Sequence, residues 1–316
     1  MKFLVTFWCV VLGPIALGQK TKTLTVAKDG SGTYSTVQAA LDAIPSGNVK
    51  PINIFIKKGV YKERLVLDTR KDFVTMTGES AENTILTFDN HARKILPNGD
   101  TINTWNSASF FIYADNFTAR NLTFQNNAGF DSGQAVAVFA FGNRLAFSHC
   151  SFKGFQDVLF CSGNGVKQYY EDCYIEGTTD FIFGAATAVF KNCHIHSKKN
   201  SHVTAASTNS VIPFGFVFID CKLTADSAIN KVSLGRPWSP TASVTYINCQ
   251  LGKHIIPEGW NNWKNPANEA TARYAEFKSI GDGANPDARV KWSRQLNDEE
   301  VKRYTVENIL GKWKPF

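Results

Sequence analysis

The segments FSHCSF, YEDCYI, FKNCHI, FIDCKL and YINCQL recur around Cys150, Cys173, Cys193, Cys221 and Cys249, at intervals of 23, 20, 28 and 28 residues. Each places an aromatic residue three positions before the cysteine and an apolar residue two after it. A related frame without cysteine, ARNLTF, lies around Leu122 and Phe124. A constant frame at variable spacing is what coils of nearly fixed shape produce when the loops between them change length. The local period is two, as in strands, and helical periodicity is weak through the middle of the chain. An all-β fold is therefore expected: a parallel β-helix, a solenoid whose side chains stack inward in ladders. Cysteine, small and apolar, suits such an interior ladder. An antiparallel sandwich would explain the short strands but not the repeated frame.

The ends read differently. Residues 37–47, VQAALDAIPSG, carry apolar residues at helical spacing and stop at Pro-Ser-Gly, as a capping helix would. Asn297 followed by Glu300 has the spacing of a capping box and opens a second short helix. Solenoids need such caps to protect their terminal strand edges. The first residues, MKFLVTFWCVVLGPIALGQ, combine Lys2, a short apolar run and small residues at 16–18. This pattern predicts a secretory signal peptide over 1–18 and a secreted, extracellular chain. The run is too short for a membrane span. Residues 19–316 are then a single domain, with no linker or low-complexity segment.

Loss of Lys2 would leave the mature chain one unit below the formal +7 of the whole sequence. A basic secreted protein is suited to acidic polymers. No basic run or motif points to nucleic acid. Six cysteines remain after Cys9 leaves, an even number that permits disulfides, without the CxxC spacing of a zinc site. The six histidines form no ligand cluster. Asn116-Phe-Thr and Asn121-Leu-Thr are glycosylation sequons, the second inside the repeat frame.

The repeat also duplicates an acid. Asp157 follows Cys150, and Asp180 follows Cys173, by the same seven residues. On neighbouring coils the two would stack roughly 4.8 Å apart. Carboxylates that close resist joint ionisation, so one stays protonated. An acid beside a base suggests catalysis, and a ladder of turn aspartates is the alternative.

Around this pair lie QAVAVF (134–139), GFQDVLF (154–160), GTTDFIFG (177–184) and LGRPW (234–238), with DGSGTYSTVQAALDAIP at 29–45. Together they resemble the pectin methylesterases, the pectinesterase family of carbohydrate esterases, in a form without the inhibitor-like prosegment of plant members. The resemblance covers nearly all of the mature chain, with five motifs in the family's order. It implies a right-handed parallel β-helix and hydrolysis of the methyl esters of polygalacturonate, without metal or other cofactor. Asp180 resembles the nucleophile, and Asp157 the general acid that then serves as base. Arg236 resembles the arginine that orients the nucleophile, and a guanidinium fork can hold a carboxylate in its ionised form. Gln134 and Gln156 match the two glutamines near the oxyanion. Thr104, Phe160, Phe183 and Trp238 match substrate-binding positions, whereas Phe181 and Ile182 should face the core. Cys173 and Cys193 match the spacing of a disulfide in bacterial members. The implied partners are methylated pectin and, in some settings, a proteinaceous inhibitor; the expected state is a monomer.

The chain departs from the family's commonest forms at QDVLF for QDTLY, GTTDF for GTVDF and TWNSAS for TFRSAT. None of these changes removes a catalytic group, so they bear on subsite preference. A pectate-cleaving lyase or polygalacturonase on the same architecture is the main rival, since paired carboxylates about 5 Å apart also suit a retaining glycosidase. A non-catalytic binding homologue should lack Asp157, Asp180 or Arg236, and all three are present.

Overall fold

The computed structural model describes residues 22–316, so the expected signal peptide and Cys9 lie outside the described residues. The strands form three parallel sheets of eleven, seven and eight strands. Successive strands visit the sheets in turn, and each pairs with its counterpart one coil away. Thus Lys167–Glu171 pairs with Thr187–Lys191, Tyr174–Gly177 with His194–Ser197, and Leu159–Cys161 with Ile182–Gly184. This is the parallel β-helix expected from the repeat, wound right-handed as parallel crossovers are.

The repeat frame is one corner of the coil. The residue before each frame cysteine, and before Leu122, is left-handed: Asn121, His149, Asp172, Asn192, Asp220 and Asn248 all have φ between 52° and 54°. Asn and Asp adopt this conformation at the least cost after glycine, which explains their recurrence there. Asn121 is thus a turn residue, whatever its sequon. A single left-handed residue swings the chain from one sheet into the next and leaves the cysteine facing inward.

The residue after each frame cysteine donates its N–H to the carbonyl of the equivalent residue on the preceding coil, as Ser151 does to Leu122, Tyr174 to Cys150 and His194 to Cys173. The aromatic residue of each frame stacks on the next. Phe147, Tyr170, Phe190, Phe218 and Tyr246 form a continuous ladder with centroids 4.4–4.9 Å apart. These buried rings fill the interior at close-packed density and lock the register of the coils.

The expected Cys173–Cys193 disulfide is not formed, and all six described cysteines are free and buried. The Cys173 thiol donates to the carbonyls of Glu171 and Phe147, that of Cys193 to Lys191 and Tyr170. Five cysteines stack in equivalent positions, each sulfur turned toward backbone acceptors rather than toward one partner.

Both expected caps are present. Val37–Asp42 is a helix capped by the Thr36 side chain. Its Gln38 pairs with the edge strand Leu65–Leu67 by accepting from Val66 N–H at 2.8 Å and donating to the Val66 carbonyl at 3.1 Å. The amide thereby occupies hydrogen-bonding groups that an open edge would leave bare. At the other end Asp298–Val301 is helical, with the Asn297–Glu300 capping box complete. Ile309 and Leu310 of the last helix cover the outside of the largest sheet. Among the described residues no helix is long and apolar enough to cross a membrane.

Candidate active site

The seven-stranded sheet carries the site on its outer face. Its register aligns Phe160, Phe183, Ala205 and Arg236 on successive rungs. The chain enters the first two of these strands through the two repeated aspartates. Both are left-handed, Asp157 at φ 62° and Asp180 at φ 49°, a conformation that clusters at functional corners. Asp157 N–H donates to the Thr179 carbonyl, and Asp180 N–H to that of His202, which fixes both corners to the coils beyond them. The sequence offset thus becomes a stacked pair of carboxylates.

A cavity of about 250 Å³ gathers Gln134, Gln156, Asp157, Asp180 and Arg236, with Thr104, Phe183 and Trp238 around them. Gln134 and Gln156 bridge in parallel on adjacent coils. Phe160 does not line the cavity. It stacks on Phe183 at 4.5 Å from the adjacent rung and lies 5.2 Å from Trp105. Phe181 and Ile182 face the core as expected.

Arg236 holds Asp180 with two bonds, Nε to Oδ1 at 3.0 Å and Nη2 to Oδ2 at 2.6 Å. The small Ala205 occupies the rung between them, and Gly235 permits the close approach of the two strands. A Cβ on Gly235 would meet Thr204 Oγ1 at 2.0 Å.

The two acids are not equivalent. Burial, and then the charge of Asp180, push the Asp157 carboxyl well above its ordinary value. Burial also raises Asp180, but the Arg236 hydrogen bonds and charge pull it back down. The split has the expected sense, Asp180 ionising before Asp157, although burial leaves Asp180 above rather than below an ordinary carboxylate. His202, whose carbonyl receives Asp180 N–H, has its pKa lowered to about 4 by burial and the nearby Arg236, so it adds no charge at neutral pH.

This arrangement costs stability. A carboxyl whose folded pKa is raised stabilises the fold below its unfolded value, and that contribution is lost as pH rises through the folded pKa. Asp157→Asn is therefore expected to unfold at a higher temperature than the wild type near pH 8. The gap should close as the pH falls toward the unfolded value of 3.8. Thermal unfolding at the two pH values checks this, and a variant less stable at the higher pH would refute it.

Two groups escaped the sequence reading. Trp263 lies over the Arg236 guanidinium, with Cζ 3.7 Å from the ring centroid, and lines the cavity. Its loop holds two successive left-handed residues, Trp263 and Lys264, with Asn261 accepting from the Trp263 N–H. Trp105 stacks on Trp238 at 5.8 Å in a short turn capped by Asn103. Both belong to loops outside the repeat. The Asn-x-Trp spacing at 261–263 and the Asn103–Asn106 capping box were the local signals that could have marked them.

A carboxylate oriented by a cation, a second carboxyl of raised pKa beside it, and two amides nearby are groups of the kind that acyl transfer requires. The pectinesterase family model matches residues 23–312. The chain is 39% identical to "Pectinesterase 31" of Arabidopsis thaliana over 92% of each chain. It spans only about half of relatives described as pectinesterase/pectinesterase inhibitor, 53% for one from Brassica campestris at 37% identity. Among solved structures, pectin methylesterase from carrot matches with a TM-score of 0.84 at 30% identity, over 96% of this chain and 95% of that one. A pectin methylesterase in complex with a hexasaccharide matches at 0.83 and 30%, over 94% and 99%.

Proposed function

The chain belongs to the pectinesterase family and is a carboxylic ester hydrolase that de-methylesterifies pectin, and on that footing we propose that it works through an aspartyl acyl-enzyme. The observation that carries this mechanism is the two-bond clamp of Arg236 on Asp180 beside an Asp157 of raised pKa. Asp180 Oδ attacks the methyl ester carbonyl, and the carbonyl electron pair moves onto oxygen. Gln134 and Gln156 donate to that oxyanion. As the tetrahedral centre collapses, Asp157 gives its proton to the departing methoxyl oxygen, and methanol leaves. The ionised Asp157 then takes a proton from water, which attacks the acyl carbon, releases the galacturonate carboxyl and frees Asp180.

Trp238, Phe183 and Thr104 hold the sugar beside the reacting ester, and Trp263 keeps the guanidinium aligned. The substrate is a polysaccharide, as the hexasaccharide complex of a structural relative supports. Site occupancy requires Asp180 charged and Asp157 protonated, so activity should follow a bell. It rises as Asp180 ionises and falls at higher pH as Asp157 does, and the two limbs belong to the coupled pair. An initial-rate profile of methanol release checks the bell; its alkaline limb should vanish in a variant lacking Asp157.

Gln156→Ala is expected to lower kcat by about 10²-fold with little change in KM, the usual loss for one oxyanion donor. Steady-state kinetics on methylated pectin tests this, and a pure KM effect would assign the glutamine to ground-state binding. An esterase releases methanol and leaves the polymer's length unchanged, whereas a lyase or glycosidase shortens it. Measuring both products separates the readings.

We further propose export after cleavage near Gln19, with residues 19–316 forming the mature domain. N-terminal sequencing of protein recovered from the medium tests it, and an uncleaved Met1 would overturn it. Relatives described as pectinesterase/pectinesterase inhibitor support a proteinaceous inhibitor as a further partner.

A further inference from the structure

Two connections from the eight-stranded sheet to the seven-stranded sheet bring loop residues to the cavity. Residues 89–109 join the strands Thr84–Phe88 and Phe110–Ile112 and carry Thr104 and Trp105. Residues 127–137 join Thr123–Asn126 to Val138–Ala140 on the next coil and carry Gln134. Neither connection is periodic, so the register of the coils does not by itself fix where these side chains stand.

One buried amide closes both. Asn126, 1% exposed, ends the strand before the second connection. Its Nδ2 donates to the Val136 carbonyl at 2.9 Å, at the far end of its own loop, and to the Asn90 carbonyl at 2.8 Å, at the start of the other. The Ser107 carbonyl, where that other loop returns, lies at 3.4 Å. Oδ1 accepts from the Ala128 N–H at 3.0 Å. Carbonyls on one side and an N–H on the other admit one orientation of the amide and use both of its hydrogens. Ser107, fully buried, completes the knot. Its hydroxyl accepts from the Val136 N–H at 3.2 Å and donates to the Thr104 carbonyl at 2.9 Å. The Ala92 N–H, two residues beyond Asn90, donates to the Gln134 carbonyl at 2.8 Å. The chain is thus held at Gln134 itself and, at Val136, through both its N–H and its carbonyl.

We propose that Asn126 is a positioning residue for the reaction, setting the Gln134 amide against the reacting ester by pinning the two loops to each other. This rests on the reading of Gln134 as a donor to the oxyanion. Such a donor acts only within about 3 Å of where the charge develops, so its backbone must be fixed before substrate arrives. Asn126 does not line the cavity, and its amide is spent on main-chain groups. The Val136 carbonyl already accepts from the Ser109 N–H, so the amide is not needed merely to satisfy that oxygen. What Asn126 adds is the link from the Gln134 strand to Asn90 and Ser107.

The test is a pair of double-mutant cycles on methanol release from methylated pectin. Asn126→Asp keeps the size of the side chain and its acceptor for Ala128, but offers one hydrogen as an acid and none as a carboxylate. It should lower kcat about tenfold with KM nearly unchanged, since a misplacement of about 1 Å can cost about 10²-fold. In a Gln134→Ala background, where the donor is already gone, the same substitution should cost less than about twofold. In a Gln156→Ala background it should keep its full effect. Ser107→Ala, which removes one hydroxyl from the same knot, should show the same pattern on a smaller scale, and it carries the test if Asn126→Asp does not fold. Thermal unfolding establishes that each variant is folded at the assay temperature. Equal losses in the two backgrounds would reveal a general structural role and overturn the positioning role, as would a wild-type kcat in the folded variants or a change confined to KM. A Gln134→Ala variant with wild-type kcat would sink the oxyanion reading itself, and the positioning role with it.

Discussion

Asp180→Asn should abolish methanol release from methylated pectin, lowering kcat by about 10⁴-fold or more, while the protein stays folded. The amide has nearly the shape of the carboxylate, so the corner at φ 49° and the N–H bond to His202 are preserved. What disappears is the nucleophilic oxygen. Arg236 loses one of its two acceptors but keeps the Trp263 face and partial access to water. Far-UV circular dichroism and thermal unfolding beside the methanol assay separate loss of chemistry from loss of fold. A variant retaining close to wild-type activity would refute the assignment.

Asp157→Asn should show a loss that depends on the leaving group. With the natural methyl ester, departure of methoxide without a proton donor is slow, and the expected fall is about 10²–10⁴-fold. A galacturonate ester of an acidic phenol leaves without that proton, so acylation should recover. Deacylation should not, because the same residue activates water. The variant is then expected to release a burst of about one equivalent of phenol per enzyme followed by a slow phase, the kinetic mark of an accumulating acyl-enzyme. Rapid-mixing absorbance of the phenol measures it. A variant equally impaired on both esters would show that Asp157 does not serve as the acid.

The legibility of this molecule follows from which features are local and repeated. The five cysteine frames exposed the solenoid because each coil solves the same packing problem: an aromatic ring for the ladder, a left-handed corner, and a small residue facing in. The same repetition placed Asp157 beside Asp180. Arg236 was legible through LGRPW, where Gly235 and the arginine lie on one strand. Trp105 and Trp263 were not, because loops without periodicity bring them to the site. Phe160, expected at the groove, is a buried ring one rung from the cavity-lining Phe183, since strand alternation says which face a ring takes but not what covers it. The Cys173–Cys193 bridge failed for a related reason. Spacing shows that two cysteines stack, but not where their sulfurs point when carbonyls of two coils compete for them.

The distinctive claim is a covalent bond between the substrate's acyl group and Asp180. Asp157→Asn mixed with the phenyl-type ester, quenched in acid during the slow phase and digested, allows that bond to be sought by mass spectrometry. The expected result is a peptide spanning Asp180 heavier by one galacturonyl acyl group, absent when Asp180 is also replaced by asparagine. A burst of phenol with the adduct on another residue, or unchanged adduct formation without Asp180, would contradict the mechanism.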